Sequence, residues 1–259
     1  MKVVILCGGQ GTRLREVAEL VPKPMVEIGG RPILWHIMKG YSHHGFDDFI
    51  LCLGYKGDTI KRYFYDYEWL TRDCTIELGS RKIEFHGDHH PESRWRVTLV
   101  DTGLTAGTGA RIKRIEPFVD FDTFMLTYGD GVTDLDVRAL LRFHQSHGKI
   151  GTVTAVCPPS RYGELFIQGN RVISFAEKPQ TTDGFISGGY FVFRRDFFGY
   201  LSAEDDCVLE REPLERLVAE GQLMVYNHPG FWQCMDTPRD YDYLCGLWNR
   251  GEARWKTWE

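Results

Sequence analysis

Apolar residues come in short blocks along this chain, and two spacings recur within them. Val3-Val4-Ile5-Leu6 is an unbroken, mostly β-branched run, which predicts a strand buried on both faces. The glycine-rich stretch Cys7-Gly8-Gly9-Gln10-Gly11-Thr12-Arg13 ends it, and the residues after that loop read as a short helix. "VEIGGRPILWHIMKGY" then predicts a short strand, a Gly-Gly-Arg-Pro turn, and a helix whose Leu34, Ile37, Met38 and Tyr41 share one face and which stops near Gly45. "FILCL" predicts a second strand, followed by a helix carrying Ile60, Tyr63, Phe64 and Tyr67. A third unit is "TFMLTY", a strand ending in Gly129-Asp130-Gly131, followed by a helix with Leu135, Ala139, Leu140 and Phe143 as its inner stripe.

Strands alternating with helices predict an α/β fold with a doubly wound, mostly parallel, Rossmann-like sheet. Two stretches break the alternation. At about residues 74–101 and 151–193 the pattern is of strands without intervening helices, read as β-rich insertions that form a smaller substrate layer. The whole is expected to be one domain over residues 1–259. Its last segment, from about residue 246 to 259, sets Trp248, Trp255 and Trp258 among polar residues and predicts a docked tail or a subunit contact.

Composition removes several function classes. With 259 residues and 42% hydrophobic content the chain can bury a sizeable core. Net charge is −5, from 31 Lys and Arg against 36 Asp and Glu, so no global basic field is available to a nucleic acid. The local cluster Arg111-Ile112-Lys113-Arg114 is too short to change that. The first apolar run is too short for a signal peptide, and no segment approaches the roughly 20 apolar residues of a membrane span. A cytoplasmic protein with no membrane partner is expected. Seven scattered cysteines without a C-x-x-C pair predict neither a disulfide framework nor a structural zinc site.

The candidate chemistry starts at the glycine loop, which sits at a strand-to-helix turn where backbone N–H groups face anions. Gly9-Gln10-Gly11 opens a G-x-G-x-x-G, but Leu14 stands where the packing glycine of a dinucleotide fold belongs, and no Gly-Lys-Ser/Thr follows for a Walker loop. What remains, with Arg13 as a fixed-charge fork, suits a polyphosphate. Lys23 lies between Pro22 and Pro24, which stiffen the backbone beside that loop. Asp130 ends a central strand, where ligands bind in open α/β sheets, and Asp236 in "GFWQCMDTP" lies at another strand-to-helix junction. Two such carboxylates could share one divalent ion on a polyphosphate. His86, His89 and His90 are read as solvated loop residues rather than metal ligands.

In order, Gly8-Gly9-Gln10-Gly11-Thr12-Arg13, Pro22-Lys23-Pro24-Met25, Gly129-Asp130-Gly131, Glu177-Lys178-Pro179 and Asp236 resemble the sugar-phosphate nucleotidyltransferases. "VEIGGRPILWHIM", "VTLVDTG", "GFWQCMDT" and the terminal "WKTW" are similar to the cytidylyl-transferring branch of that family, and the resemblance runs from Met1 to Glu259. It implies a Mg2+-dependent reaction of CTP with α-D-glucose 1-phosphate, giving CDP-glucose and pyrophosphate, in a homo-oligomer that could be a hexamer. It also implies site roles. Leu6, Gly8, Gly9, Gly11, Thr12, Arg13, Lys23, Arg111 and Gly129 would bind nucleotide, with Arg111 offering donors to the cytosine edge. Tyr128, Gly163, Glu177, Lys178, Ser187 and Gly188 would bind the sugar phosphate. Asp130 and Asp236 would hold the metal, and Arg13, Lys23 and Asp130 would be catalytic.

The chain departs from that pattern at Ser187, where glucose-using relatives carry asparagine before Gly-Gly, and at Glu164 and Phe166 in Gly163-Glu164-Leu165-Phe166, where they carry Gly-Ala-Leu-Asp. A different hexose 1-phosphate or another small phosphate-bearing acceptor therefore stays open, and, since sibling transferases share the phosphate chemistry, so does UTP, dTTP or GTP in place of CTP. Leu14 speaks against a nicotinamide oxidoreductase, and the joint presence of Lys23, Asp130, Asp236 and Lys178 against a non-catalytic nucleotide-sugar sensor.

Overall fold

The structure is a computed structural model and describes residues 1–11, 21–87, 90–158, 164–168, 171–176 and 184–258. Seven strands form its main sheet: β1 (Lys2–Leu6), β2 (Asp48–Leu53), β3 (Arg96–Asp101), β4 (Thr123–Tyr128), β5 (Gly151–Val156), β6 (Ile186–Arg194) and β7 (Leu223–His228). Their spatial order is β7-β5-β6-β4-β1-β2-β3. β1 is parallel to both neighbours, β2 to β3 and β5 to β7, while β6 runs antiparallel to β4 and β5. From β1 the chain builds outward through β2 and β3, then crosses back to lay β4 on the other side. The gap beyond the ends of β1 and β4 is thus the point where strand order reverses, the place where open α/β sheets bind ligands.

Side chains alternate across the sheet into two cores. Val3 and Ile5 of β1, Phe49 and Leu51 of β2 and Met125 of β4 join one cluster with Ile33, Leu34, Ile37, Met38 and Tyr41 of helix α1 (Ile33–His43). Val4, Leu6, Ile50, Phe124 and Leu126 join the other, with Ile112 of the short helix Thr108–Arg114. The α1 stripe is the one its spacing predicts. Elsewhere the periodicity is bent: Asp66 separates a helix at Gly57–Tyr65 from one at Tyr67–Thr71, so the predicted single helix is two. The helix Val137–His147 buries Val137, Leu140 and His144, leaving Ala139 and Phe143 half-buried, with Leu135 buried just ahead of it.

The predicted β-rich insertions need correction. Arg96–Asp101 is the edge strand of the main sheet, and among the described residues of that stretch the hairpin Cys74–Glu77 with Lys82–Phe85 is the only strand pair outside it. β5 and β6 also belong to the main sheet, and among the described residues between them only Glu164–Gln168 with Arg171–Ala176 forms a separate hairpin. The physical reason is that antiparallel neighbours need no crossover helix, so the missing helix between β5 and β6 reads like a change of layer when it is not. The tail packs on the body of the molecule. Trp255 and Trp258 are buried, and Trp255 stacks on Phe231 with centroids 5.6 Å apart.

Candidate active site

Four short segments converge at the reversal point. Gly129 N–H donates to Leu6 O (3.0 Å), holding the ends of β1 and β4 together as their ladder finishes. Beyond β1 the chain turns through Gly8 and Gly11. A Cβ at Gly8 would fall 2.2 Å from Arg111 Nη1, and Gly11 has φ +60° with Lys23 Cβ 3.2 Å from where its own would be, so neither position takes a side chain. Lys23 opens a single 3-10 turn, Lys23–Met25, after extended Pro22. Beyond β4 the short strand Gly131–Thr133 pairs antiparallel with Trp232–Cys234, and Asp236 lies two residues past the latter.

That pairing joins two carboxylates from distant parts of the sequence. Lys23 Nζ donates to Asp130 Oδ2 and to Asp236 Oδ1, each at 2.5 Å, with the lysine side chain 12% exposed. Burial alone would push the ammonium down, but the charges and hydrogen bonds of Asp130 and then Asp236 outweigh it and hold Lys23 above the ordinary lysine value. The backbone beneath Asp236 is held by a capping box: Asp240 Oδ2 accepts from Asp236 N–H (3.1 Å) and Thr237 N–H (2.9 Å) at the start of the helix Pro238–Asn249. Gly8, Gly9 and Gly11 border one side of the resulting cleft, of about 450 Å³, with Lys23, Asp130 and Asp236 below. Leu6, Arg111, Tyr128 and Gly129 complete the predicted residues that line it.

Arg111 lines the cleft with both of its terminal nitrogens engaged. It is 4% exposed; Nη1 donates to Leu53 O, Thr102 Oγ1 and Gly103 O, and Nη2 to Gly8 O and Leu104 O, at 2.7 to 3.3 Å. The fork expected at a base edge donates to five oxygens of the loops around the cleft and so fixes them. Of its donors among the described residues, Nε–H alone has no such partner.

A model of the nucleotidyl transferase family matches residues 2–241. The chain belongs to that family. Over their full lengths, this nucleotidyl transferase is 52% identical to the glucose-1-phosphate cytidylyltransferase of Salmonella typhi and 42% identical to the probable glucose-1-phosphate cytidylyltransferase of Bacillus subtilis. The crystal structure of HddC from Yersinia pseudotuberculosis is similar with a TM-score of 0.69 at 25% identity, covering 95% of this chain and 99% of that one.

Other expected site residues of the transferase fall elsewhere. Thr12, Arg13, Gly163, Glu177 and Lys178 lie outside the described residues, as do the short helix expected after the glycine loop and His89. Ser187 is exposed on β6 and Gly188 O accepts from Trp232 Nε1 (2.7 Å); neither lines the cleft, but Tyr128 packs against the adjoining Gly189. His86 bonds Thr75, and no cluster of three metal-ligating side chains occurs among the described residues. Two lining residues, Thr108 and Glu210, carry no signal in the sequence. Nothing near Glu210 in "VLEREP" distinguishes it from a surface glutamate.

Proposed function

We propose that the protein transfers the cytidylyl group of CTP to α-D-glucose 1-phosphate, forming CDP-glucose and releasing pyrophosphate. The observation that carries this is the Lys23–Asp130–Asp236 cluster below the glycine loop, in a chain similar over its whole length to glucose-1-phosphate cytidylyltransferases. An oxygen of the sugar phosphate is already anionic, so its in-line attack on the α-phosphorus needs no general base; the protein's part is positioning and charge neutralisation. Lys23 supplies a cation at the phosphates and the glycine loop supplies N–H groups and close backbone approach. Arg111 offers the pyrimidine a single donor, Nε–H, and fixes the main chain that reads the rest of the base. Arg13, Lys178 and Glu177 take the roles the resemblance implies: charge on the triphosphate, grip on the sugar phosphate, and acceptor for a sugar hydroxyl.

Nucleotidyl transferases generally use a divalent metal. Asp130 and Asp236 fit one: two hard oxygen donors converge within 2.5 Å of a single cationic nitrogen, and Mg2+ takes few protein ligands when phosphates and water fill its shell. When bound there it would neutralise charge on the phosphoryl oxygens as a Lewis acid. The reading also includes a cytoplasmic homo-oligomer. The test is pyrophosphate release with CTP, UTP, dTTP and GTP, each against several sugar 1-phosphates. CTP with glucose 1-phosphate should give the highest kcat/KM; a different best pair, which Ser187 keeps open, would replace the substrate, and no release from any pair would remove the activity.

A further inference from the structure

Glu210 stands in the cleft, yet the proposed reaction has no use for it. Main-chain bonds from Gly107 N–H to Asp205 O (2.8 Å) and from Ala110 N–H to Cys207 O (3.1 Å) dock its segment on the start of the helix Thr108–Arg114. Two hydroxyls converge on its carboxylate. Tyr128 Oη–H donates to Oε1, and Thr108 Oγ1–H donates to Oε2 at 2.7 Å while accepting from Leu209 N–H at 2.9 Å. No Lys or Arg pairs with Glu210 among the described residues, and the side chain is exposed to the cleft.

An anion that pairs with no Lys or Arg among the described residues is a poor neighbour for a triphosphate, since like charges in a partly desolvated cleft repel. It belongs beside a part of the ligand that is neutral and rich in donors. With both hydroxyls directed at it, the cluster presents only acceptors: the remaining lone pairs of Glu210 and of Tyr128 Oη. Tyr128 locates the cluster, because its ring lies against Gly189, where a Cβ would be 2.6 Å from Cδ2, directly after Ser187 and Gly188 on β6. Serine at 187 has a short reach and no separate amide donor and acceptor, so another acceptor nearby has a place to fill.

We propose that Glu210 is a specificity-determining residue that accepts hydrogen bonds from hydroxyl groups of the hexose in the acceptor substrate, with Tyr128 and Thr108 holding its carboxylate in place. This rests on the transferase reading. The shared chemistry is a sugar hydroxyl, and the ribose of the nucleotide is the other source of one. The experiment measures kcat and KM for glucose 1-phosphate and for CTP in the wild type and in Glu210→Gln and Glu210→Ala, with thermal melts, and repeats the sugar arm with glucose 1-phosphates deoxygenated at C2, C3, C4 or C6. Expected in Glu210→Gln is a KM for glucose 1-phosphate raised on the order of tenfold, as losing a hydrogen bond to a charged acceptor does, with the KM for CTP unchanged. One deoxy sugar should be poor for the wild type and no worse than glucose 1-phosphate for the variant. A raised KM for CTP alone would assign the residue to the ribose and overturn the proposal, as would equal losses on every deoxy sugar in both enzymes. If the wild type turns over no pair, the transferase reading fails; calorimetric titration of glucose 1-phosphate onto wild type and Glu210→Gln then decides Glu210, equal affinities overturning its role.

Discussion

Lys23 is a cation set between two carboxylates that are also the candidate metal ligands. An ammonium 2.5 Å from one oxygen of each carboxylate competes with a divalent ion for their negative charge, and the phosphates of the nucleotide would offer Lys23 another anion. Lys23→Met should therefore act in opposite directions on two measurements. Turnover should fall on the order of 100-fold or more, as when preorganised transition-state charge is removed. Mn2+ affinity without nucleotide, followed by electron paramagnetic resonance, should rise several-fold, because the competing cation is gone; an unchanged affinity would show that the lysine does not guard the carboxylates. At this scale the sequence is legible where chemistry and backbone are tied together: glycines that must be glycine, a lysine framed by prolines, an aspartate at a strand end. It is silent on Glu210 and on the loop contacts of Arg111. Their roles depend on which carbonyls and hydroxyls the fold brings to them from loops far away in sequence.

The elements around the site are short, and caps rather than length hold them. Gly131–Thr133 and Trp232–Cys234 form a two-stranded ribbon, and the chain just past the second strand is anchored by the capping box of Thr237 and Asp240. Because Asp240 holds the N–H of Asp236, a stabilising device for one helix is also a positioning device for a candidate metal ligand. Asp240→Ala should lower stability by about 1 kcal/mol, the usual worth of such a cap. It should also lower kcat beyond what that loss of folded protein explains, measured with enzyme that melting curves show to be fully folded; a stability loss with kcat unchanged would limit Asp240 to the helix. The same scale explains the misread insertions. β3 is half-exposed along its length as an edge strand, and so looks like a surface ribbon in sequence, although it is in register with β2 from Asp48↔Arg96 to Leu53↔Asp101.

Across the whole molecule, the tail makes folding depend on pH through a histidine remote from the chemistry. His36 on α1 is 1% exposed under Trp248, Trp255 and Trp258. Its Nε2–H donates to Ile28 O (2.8 Å) and its Nδ1 accepts from Trp255 Nε1–H (3.4 Å), a set of contacts that only the neutral ring can make. Burial drives its pKa down to about 4, while the unfolded chain titrates near 6.5. Since the folded value is the lower one, the stability is fully present above pH 6.5 and is lost as pH falls from there towards 4, where the unfolded chain takes up a proton that the native one refuses. The whole loss for a shift of that size is on the order of 3 kcal/mol. His144, buried against Thr152 and also held near 4, adds a second proton over the same range. Urea unfolding from pH 7 to pH 4 should therefore show stability falling with a slope that reaches at least two protons, since burial also holds His44 and His147 below the ordinary value. His36→Gln, which keeps a donor for Ile28 O, should begin less stable at pH 7 yet fall more gently, by about 1.4 kcal/mol less per pH unit where the slopes are steepest. Parallel curves for the two proteins would mean that the tail opens and His36 titrates without unfolding, so that the tryptophan cap is not part of the cooperative core.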